Sequence, residues 1–150
     1  SLFIVSFTAL GFSMSEGVTE IVAETNKEVA AAKVFSEIVP ERIAEIDMAV
    51  TKWRSEGGFR DSDLTLSSFA RRIMVNRTDV ASYLTSIYGK NFRTWLSGIR
   101  VEEAKALMAA HPEYSNEVVS MECGFSSRVY FQRLFKERTG LTPAEWRRQY

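Results

Sequence analysis

Apolar residues recur at helical spacing along the second half of the chain, and polar residues mark the breaks between them. One stretch is apolar at positions i, i+3, i+4 and i+7, which predicts a short helix with a buried stripe: Leu66, Phe69, Ala70 and Ile73. A second helix carries Val80 and Leu84 inward and stops at Gly89, and Asn76 with Asp79 has the form of its N-cap. Two short helices joined by a tight turn are typical of a helix-turn-helix unit.

The same pattern occurs a second time, in residues 118–149. Beyond the turn the two copies align at an offset of 51 positions, and the matched pairs are Val80 and Phe131, Leu84 and Phe135, Gly89 and Gly140, and Trp95 and Trp146. Before the turn the offset is 50, with Ile73 opposite Cys123. We therefore expect two helix-turn-helix units, the second with a turn one residue longer.

A longer helix is predicted between the two copies, over residues 91–110. It has the same apolar spacing, continued by Ala104 and Leu107 toward Pro112: Phe92, Trp95, Leu96 and Ile99. About 20 helical residues at a rise of 1.5 Å make a rod of roughly 30 Å, and one turn of B-DNA is about 34 Å. A rod of that length could hold the second helix of each unit in successive major grooves, so the match of lengths favours DNA as the ligand.

The first part of the chain has a different character. Residues 1–15 are uncharged and largely apolar, too few to span a bilayer, and lack the charged start and cleavage site of a secretory signal. Two interpretations remain open: the end of a longer membrane helix, or a helix that packs against the domain or its dimer mate. Residues 18–39 are predicted as an amphipathic connecting helix rather than a coiled coil. A further helix begins at Pro40 and ends at Gly57.

Charge and composition narrow the function. The 150 residues have a net charge of 0, but residues 1–63 hold 6 basic and 11 acidic residues, a net of −5, whereas residues 64–150 hold 13 and 8, a net of +5. The second half is therefore the candidate for binding nucleic acid or another anionic surface. One cysteine and one histidine exclude internal disulfides and disfavour zinc sites and Ser-His-Asp hydrolases. We expect no enzyme activity, catalytic residue, metal, cofactor or small-molecule site.

The outer faces of the two second helices differ in the contacts that they could make with DNA. In the second copy Arg128 and Gln132 suit paired hydrogen bonds to base edges, Val129 suits a thymine methyl group, and Arg133 and Lys136 lie beside them. The corresponding residues of the first copy are smaller and less charged: Arg77, Thr78, Ala81, Ser82 and Thr85. We expect the second copy to read more bases directly, and the first to depend on phosphates and DNA shape.

Residues 124–147, GFSSRVYFQRLFKERTGLTPAEWR, resemble the C-terminal signature of the AraC/XylS family of bacterial transcription regulators. The resemblance covers about residues 64–149 and is supported by LTLSSFA at 64–70 and by Arg100 with Ala104 and Leu107. It implies a seven-helix DNA-binding unit of two subdomains that acts mainly as an activator. Ser120 is a departure, because the family usually has a buried alanine at that position, and it is small enough to fit.

The resemblance also implies roles for individual residues. Base-reading positions would be Thr78, Ala81, Ser82, Arg128, Val129, Gln132 and Arg133. Phosphate-contacting positions would be Asn76, Ser126, Ser127 and Lys136, to which we add Arg77 and Thr85 from the outer face of the first copy. Many relatives carry an N-terminal effector or dimerisation domain, often a cupin barrel, for which residues 1–63 are too short and too helical. The chain therefore resembles the DNA-binding end of a larger regulator.

Four further side chains are given structural interpretations. Arg100 is expected to form a buried ion pair between helices, with Glu103 or Glu122 as partner. Cys123 lies at an apolar position and is expected to be a small buried residue rather than a redox sensor. Thr142 and Glu145, with a proline between them, are predicted to form a capping box that starts the last helix.

The sequence thus predicts an all-α fold with two helix-turn-helix subdomains joined by a long linker helix. Its parts are an N-terminal helical segment at 1–40 and a DNA-binding domain at 41–150, with units at 64–90 and 115–150 and the linker at 91–110. The expected partners are double-stranded DNA, RNA polymerase and a second copy bound through the N-terminal region. The expected location is the cytoplasm, with an inner-membrane anchor if residues 1–15 end a membrane helix. The alternative is a helical protein-interaction or membrane-proximal coupling module without DNA binding, which would not explain the repeated units.

Overall fold

A computed structural model describes residues 38–150, and all of its regular structure in that range is helical. The seven α-helices are α1 (Pro40–Ser55), α2 (Leu66–Arg72), α3 (Arg77–Tyr88), α4 (Phe92–Ala110), α5 (Asn116–Glu122), α6 (Arg128–Thr139) and α7 (Pro143–Gln149), and a 3-10 turn, η1 (Gly58–Arg60), follows α1. The all-α fold class is confirmed. Predictions for the membrane-like start and for the connecting helix at 18–39 fall almost wholly outside the described residues. Within them, none of the helices has the length and apolarity needed to cross a membrane.

Side-chain caps explain where most of these helices begin. In α2 to α7 the side chain of the residue before the helix accepts a hydrogen bond from a backbone N–H in the first turn, as capping requires: Thr65, Asn76, Asn91, Ser115, Ser127 and Thr142. At α7 the Thr142 hydroxyl accepts from the Glu145 N–H, and the Glu145 carboxylate accepts from the Thr142 N–H at 3.0 Å. The predicted capping box is confirmed.

Two hydrophobic cores lie along α4. Its N-terminal half contributes Trp95, Leu96 and Ile99 to a first core, together with residues of α1, η1, α2 and α3. Its C-terminal half contributes Val101, Ala104 and Met108 to a second core, which the buried residues of α5 and α6 complete. Because both cores share α4, a single continuous helix connects the two helix-turn-helix units.

The turns of the two units confirm the predicted register. Ile73 and Cys123 occupy equivalent positions, with φ and ψ of −90° and 3° against −91° and 3°. The cap of the following helix comes three residues later in the first unit, at Asn76, and four residues later in the second, at Ser127. The extra residue of the second turn is therefore Ser126, which precedes the cap of α6.

The η1 turn joins the second unit to the first core. Phe59 is buried in the first core, while Gly124, in the turn of the second unit, lies so close that a Cβ on it would overlap the Phe59 carbonyl oxygen. Gly124 has φ of +82°, which also favours glycine. The turn of the second unit thus packs directly against the backbone of η1, which is part of the first core.

The predicted ion pair of Arg100 is wrong. The buried Arg100 donates from Nε to the Phe59 carbonyl at 3.0 Å and from Nη2 to the Asp61 carbonyl at 2.7 Å. Glu103 instead pairs with Arg54 on the surface, at 2.9 Å. Arg100 therefore fixes η1 through backbone acceptors, and burial lowers the pKa of its guanidinium from the ordinary arginine value.

Cys123 is buried, with 1% of its surface exposed, and burial raises the pKa of its thiol to about 12. Because the thiolate is the reactive form, we expect the native protein to react very slowly with a disulfide reagent at pH 8 and to react fully once it is unfolded in urea. Spectrophotometric thiol titration measures both rates. Rapid reaction of the native protein would contradict the buried placement.

Candidate nucleic-acid interface

The second helix of the second unit, α6, presents most of the predicted DNA-contacting residues to solvent. Phe131 and Phe135 are fully buried and fix one side of the helix against the core. Arg128, Val129, Arg133 and Lys136 are exposed on the rest of the helix, and Gln132 is half-buried at the edge. Val129 has 74% of its surface exposed, although it is apolar. The exposed residues share a surface with cationic, amide and apolar groups, as base readout in a major groove requires.

The residues that precede α6 are also accessible. Ser126 and Ser127 are exposed, and the Ser127 hydroxyl accepts from the Tyr130 N–H at 3.1 Å. This hydroxyl caps the helix and still has a proton to donate to an anion. Both serines lie beside the first turn of α6, where phosphate contacts orient a recognition helix.

The first unit presents a smaller surface on α3. Arg77, Thr78 and Thr85 are exposed, and Ala81 is half-buried. Asn76 is exposed, but its side chain already accepts from the Asp79 N–H at 2.7 Å and donates to the Asp79 carboxylate at 2.8 Å. The amide of Asn76 is thus already hydrogen-bonded at both ends, leaving it less available to a phosphate than a free side chain.

The assignment of Ser82 to base readout is corrected by the structure, which leaves only 4% of Ser82 exposed. Helix α1 packs against the side of α3 that carries Asp79 and Tyr83. Tyr83 donates to the Asp47 carboxylate at 2.6 Å, and Arg42 donates to the Asp79 carboxylate at 3.0 Å. Burial and the bond to Asp47 raise the pKa of Tyr83, so it stays protonated. The repeat pattern placed Ser82 on the outer face because that pattern contains no equivalent of α1.

The two helices differ in charge as well as in size. Helix α6 carries four basic residues and one acidic residue, whereas α3 carries one of each, Arg77 and Asp79. Asp79 is additionally neutralised by Arg42 from α1. Of the two recognition helices, α6 therefore carries most of the positive charge that attracts phosphate.

Sequence reasoning missed how residues outside the repeat shape this surface. Arg42 and Asp47 of α1 set the accessible part of α3, and their signal in the sequence was only that of an ordinary amphipathic helix. Arg93, on the exposed side of α4, was also not singled out. The feature of the sequence that could have pointed to Arg93 is a basic residue on the linker helix between the two helix-turn-helix units.

Two helix-turn-helix units on one shared helix, each with an accessible second helix, define a DNA-binding class of protein rather than an enzyme. The family described as "Helix-turn-helix domain" matches residues 69–149. The chain belongs to this family, of the AraC/XylS type.

Solved structures agree in fold. The DNA-binding domain of AdpA, a global transcriptional factor in complex with a target DNA, is similar with a TM-score of 0.60 and 25% identity, over 69% of this chain and 90% of that one. The C-terminal domain of AraT, a response regulator from Geobacillus stearothermophilus, is similar with a TM-score of 0.62 and 26% identity, over 77% and 89%.

Curated relatives include ExsA, an HTH-type transcriptional regulator of Pseudomonas aeruginosa, which is 34% identical over 82 residues, 55% of this chain and 29% of that protein. The virulence regulon transcriptional activator VirF of Yersinia enterocolitica is 34% identical over 82 residues, 55% and 30%. The HTH-type transcriptional activator RhaR of Salmonella dublin is 28% identical over 87 residues, 58% and 30%. The matched segment thus spans about three tenths of the length of these relatives.

Proposed function

We propose that this chain binds double-stranded DNA in a sequence-specific manner and regulates transcription, with α3 and α6 in successive major grooves. The observation that carries the proposal is the outer face of α6, where Arg128, Val129, Gln132 and Arg133 form one accessible surface beside exposed phosphate-binding groups. The 19 residues of α4 span about 28 Å at 1.5 Å per residue. This length is close to one turn of B-DNA, about 34 Å, and supports occupation of two neighbouring grooves.

The two units take unequal shares in this proposal. In the second, Arg128, Val129, Gln132 and Arg133 read bases, while Ser126, Ser127 and Lys136 bind phosphates. In the first, Thr78 and Ala81 meet bases, while Asn76, Arg77 and Thr85 bind phosphates. Ser82 has no base-reading role here, because it is buried.

The wider activity is proposed from the relatives. VirF and RhaR are named as transcriptional activators, and we propose the same activity for this chain, through contact with RNA polymerase in the cytoplasm. We also propose that residues 1–40 connect the DNA-binding domain at 41–150 to a region that pairs two copies. An inner-membrane anchor for that region follows if residues 1–15 end a membrane helix.

The test is selection of duplexes of about 30 base pairs from a randomised pool near physiological salt, with sequencing of the DNA that the full 150-residue chain retains. Two enriched blocks about one helical turn apart are expected if both units read DNA. One block would restrict base readout to a single unit. No enrichment would contradict sequence-specific binding by this chain and favour the protein-interaction alternative.

Replacement of a base-reading residue is expected to change specificity, whereas replacement of a phosphate-binding residue is not. Arg128→Ala or Gln132→Ala should cost roughly 1 to 3 kcal/mol of binding and relax preference at particular base pairs. Lys136→Ala should weaken binding to all duplexes alike. Titration of each variant against the selected duplex and single-base variants measures this difference. Equal losses on every sequence for all three variants would show that the roles are assigned wrongly.

A further inference from the structure

An open groove of about 500 Å³ lies between the two helix-turn-helix units, and neither recognition helix alone forms it. We name it the junction groove. Its walls come from three places: the segment before α2, the N-terminal half of α4, and the turn and first half of α6. Six polar residues that line it are Ser62, Thr65, Arg93, Ser97, Ser126 and Arg133.

The junction groove has the chemistry of an anion site. Among the described residues that line it, arginines and hydroxyl-bearing side chains supply nearly all the polar groups, and none is acidic. A larger groove of about 910 Å³ beside α1 differs, because Glu56, Glu102 and Glu103 face its basic residues there. Hydroxyls and guanidinium groups without carboxylates are suited to phosphate oxygens.

Two cations of the junction groove are available to a ligand. Arg93 is exposed, and within residues 38–150 its guanidinium has no hydrogen-bond or ion-pair partner. Arg133 is also exposed; its nearest carboxylate is that of Glu137, at 3.8 Å, and its guanidinium lies 5.5 Å from the centre of the Tyr130 ring. Arg100 also borders the groove, but its side chain is buried and donates to two carbonyls. Of the three arginines that line the groove, Arg93 is therefore the one whose guanidinium has no partner among residues 38–150.

The position of the junction groove identifies the anion. Ser126 and Arg133 line it and also belong to the proposed DNA surface of α6. A duplex that occupies α3 and α6 at once must carry its backbone past the space between them. We propose that Arg93 binds phosphates of the DNA backbone between the two recognition helices, while Arg133, which lines the same groove, keeps its base-reading role. This inference rests on the proposed function, and it adds a third point of contact from the linker helix α4.

The test uses the full chain, the selected duplex and a scrambled duplex, with Arg93→Gln as the variant and Lys52→Gln as the control. Lys52 lies on α1, is well exposed, has Glu56 at 3.9 Å and does not line the groove, so its replacement removes the same charge at another site. Arg93→Gln should weaken binding to both duplexes by about fivefold and reduce the slope of log affinity against log salt by about 0.9. Lys52→Gln should change neither quantity, and thermal unfolding should show both variants folded.

A scan of methylphosphonates, which remove single phosphate charges, locates the contact on the DNA. In the wild type, neutral linkages between the two contacted grooves should weaken binding, and in Arg93→Gln the same linkages should have no further effect. If Arg93→Gln behaves as Lys52→Gln, or if these linkages weaken both proteins equally, the inference is overturned. The proposed function is tested separately, because it requires only that the wild type prefer the selected duplex to the scrambled one.

Discussion

Gly124→Ala is expected to lower the free energy of unfolding by about 2 to 5 kcal/mol. The left-handed backbone conformation at φ +82° costs a residue with a Cβ about 1 to 2 kcal/mol. The new methyl group would also overlap the Phe59 carbonyl and approach the Arg60 backbone, and overpacking of this kind costs about 1 to 3 kcal/mol. Because both neighbours are backbone, neither can move without displacing η1. Urea unfolding at equilibrium measures the change.

Gly140→Ala is the matched control. Gly140 has φ of +79°, but a Cβ at this position would meet nothing within 4 Å. Gly140→Ala should therefore lower the free energy of unfolding only by the cost of the left-handed conformation, about 1 to 2 kcal/mol. Equal losses for the two variants would mean that η1 does not restrict the size of the residue at position 124.

Comparison of the two turns explains why glycine is needed at only one of them. The position in the first unit equivalent to Gly124 is Met74, which has φ of +56° and is 90% exposed. A residue with a side chain is accepted there because, among residues 38–150, none covers the Met74 side chain. The left-handed conformation is common to both turns, so the stricter requirement at Gly124 arises from the close approach of η1.

Local pattern sufficed to predict the repeated units, their register and the linker helix. Apolar spacing of 3 and 4 identifies helices, and caps such as Asn76 and Thr142 depend on neighbours within three residues. The extra residue of the second turn could be counted directly. These features are encoded in short segments, which is why a single sequence predicted them.

Features that depend on distant segments could not be predicted in this way. Arg100 bonds to carbonyls 41 and 39 positions earlier, and any backbone carbonyl offers the same chemistry, so no residue type marks the partner. Ser82 is buried beside a helix outside the repeat, and the junction groove combines three separated segments. Burial along α6 could be predicted because Phe131 and Phe135 pack in the core of their own unit, whereas α3 also has α1, which lies outside the repeat, as a neighbour.

Arg100→Met is expected to cost about 2 to 5 kcal/mol of stability. The apolar side chain fills similar space but removes the donor of the Phe59 carbonyl and leaves the Asp61 carbonyl with only the Leu64 N–H, at 3.3 Å. Methionine preserves the packing of the stem, so the loss reports mainly the two hydrogen bonds. Arg54→Met is the matched control: it breaks the surface pair with Glu103, of which exposed examples contribute about 0 to 1 kcal/mol. Urea unfolding of both variants measures the difference.

A second comparison separates backbone acceptors from an ion pair as the partners of Arg100. If the two carbonyls hold the guanidinium, Glu103→Gln and Glu122→Gln should leave stability within about 1 kcal/mol of the wild type. Carbonyl acceptors do not titrate. The difference in free energy of unfolding between the wild type and Arg100→Met should therefore stay constant from pH 5 to pH 9, with the wild type the more stable throughout. A large loss of stability in either glutamine variant would instead support an ion pair of Arg100. It would contradict the role of Arg100 in fixing η1 beneath the second unit.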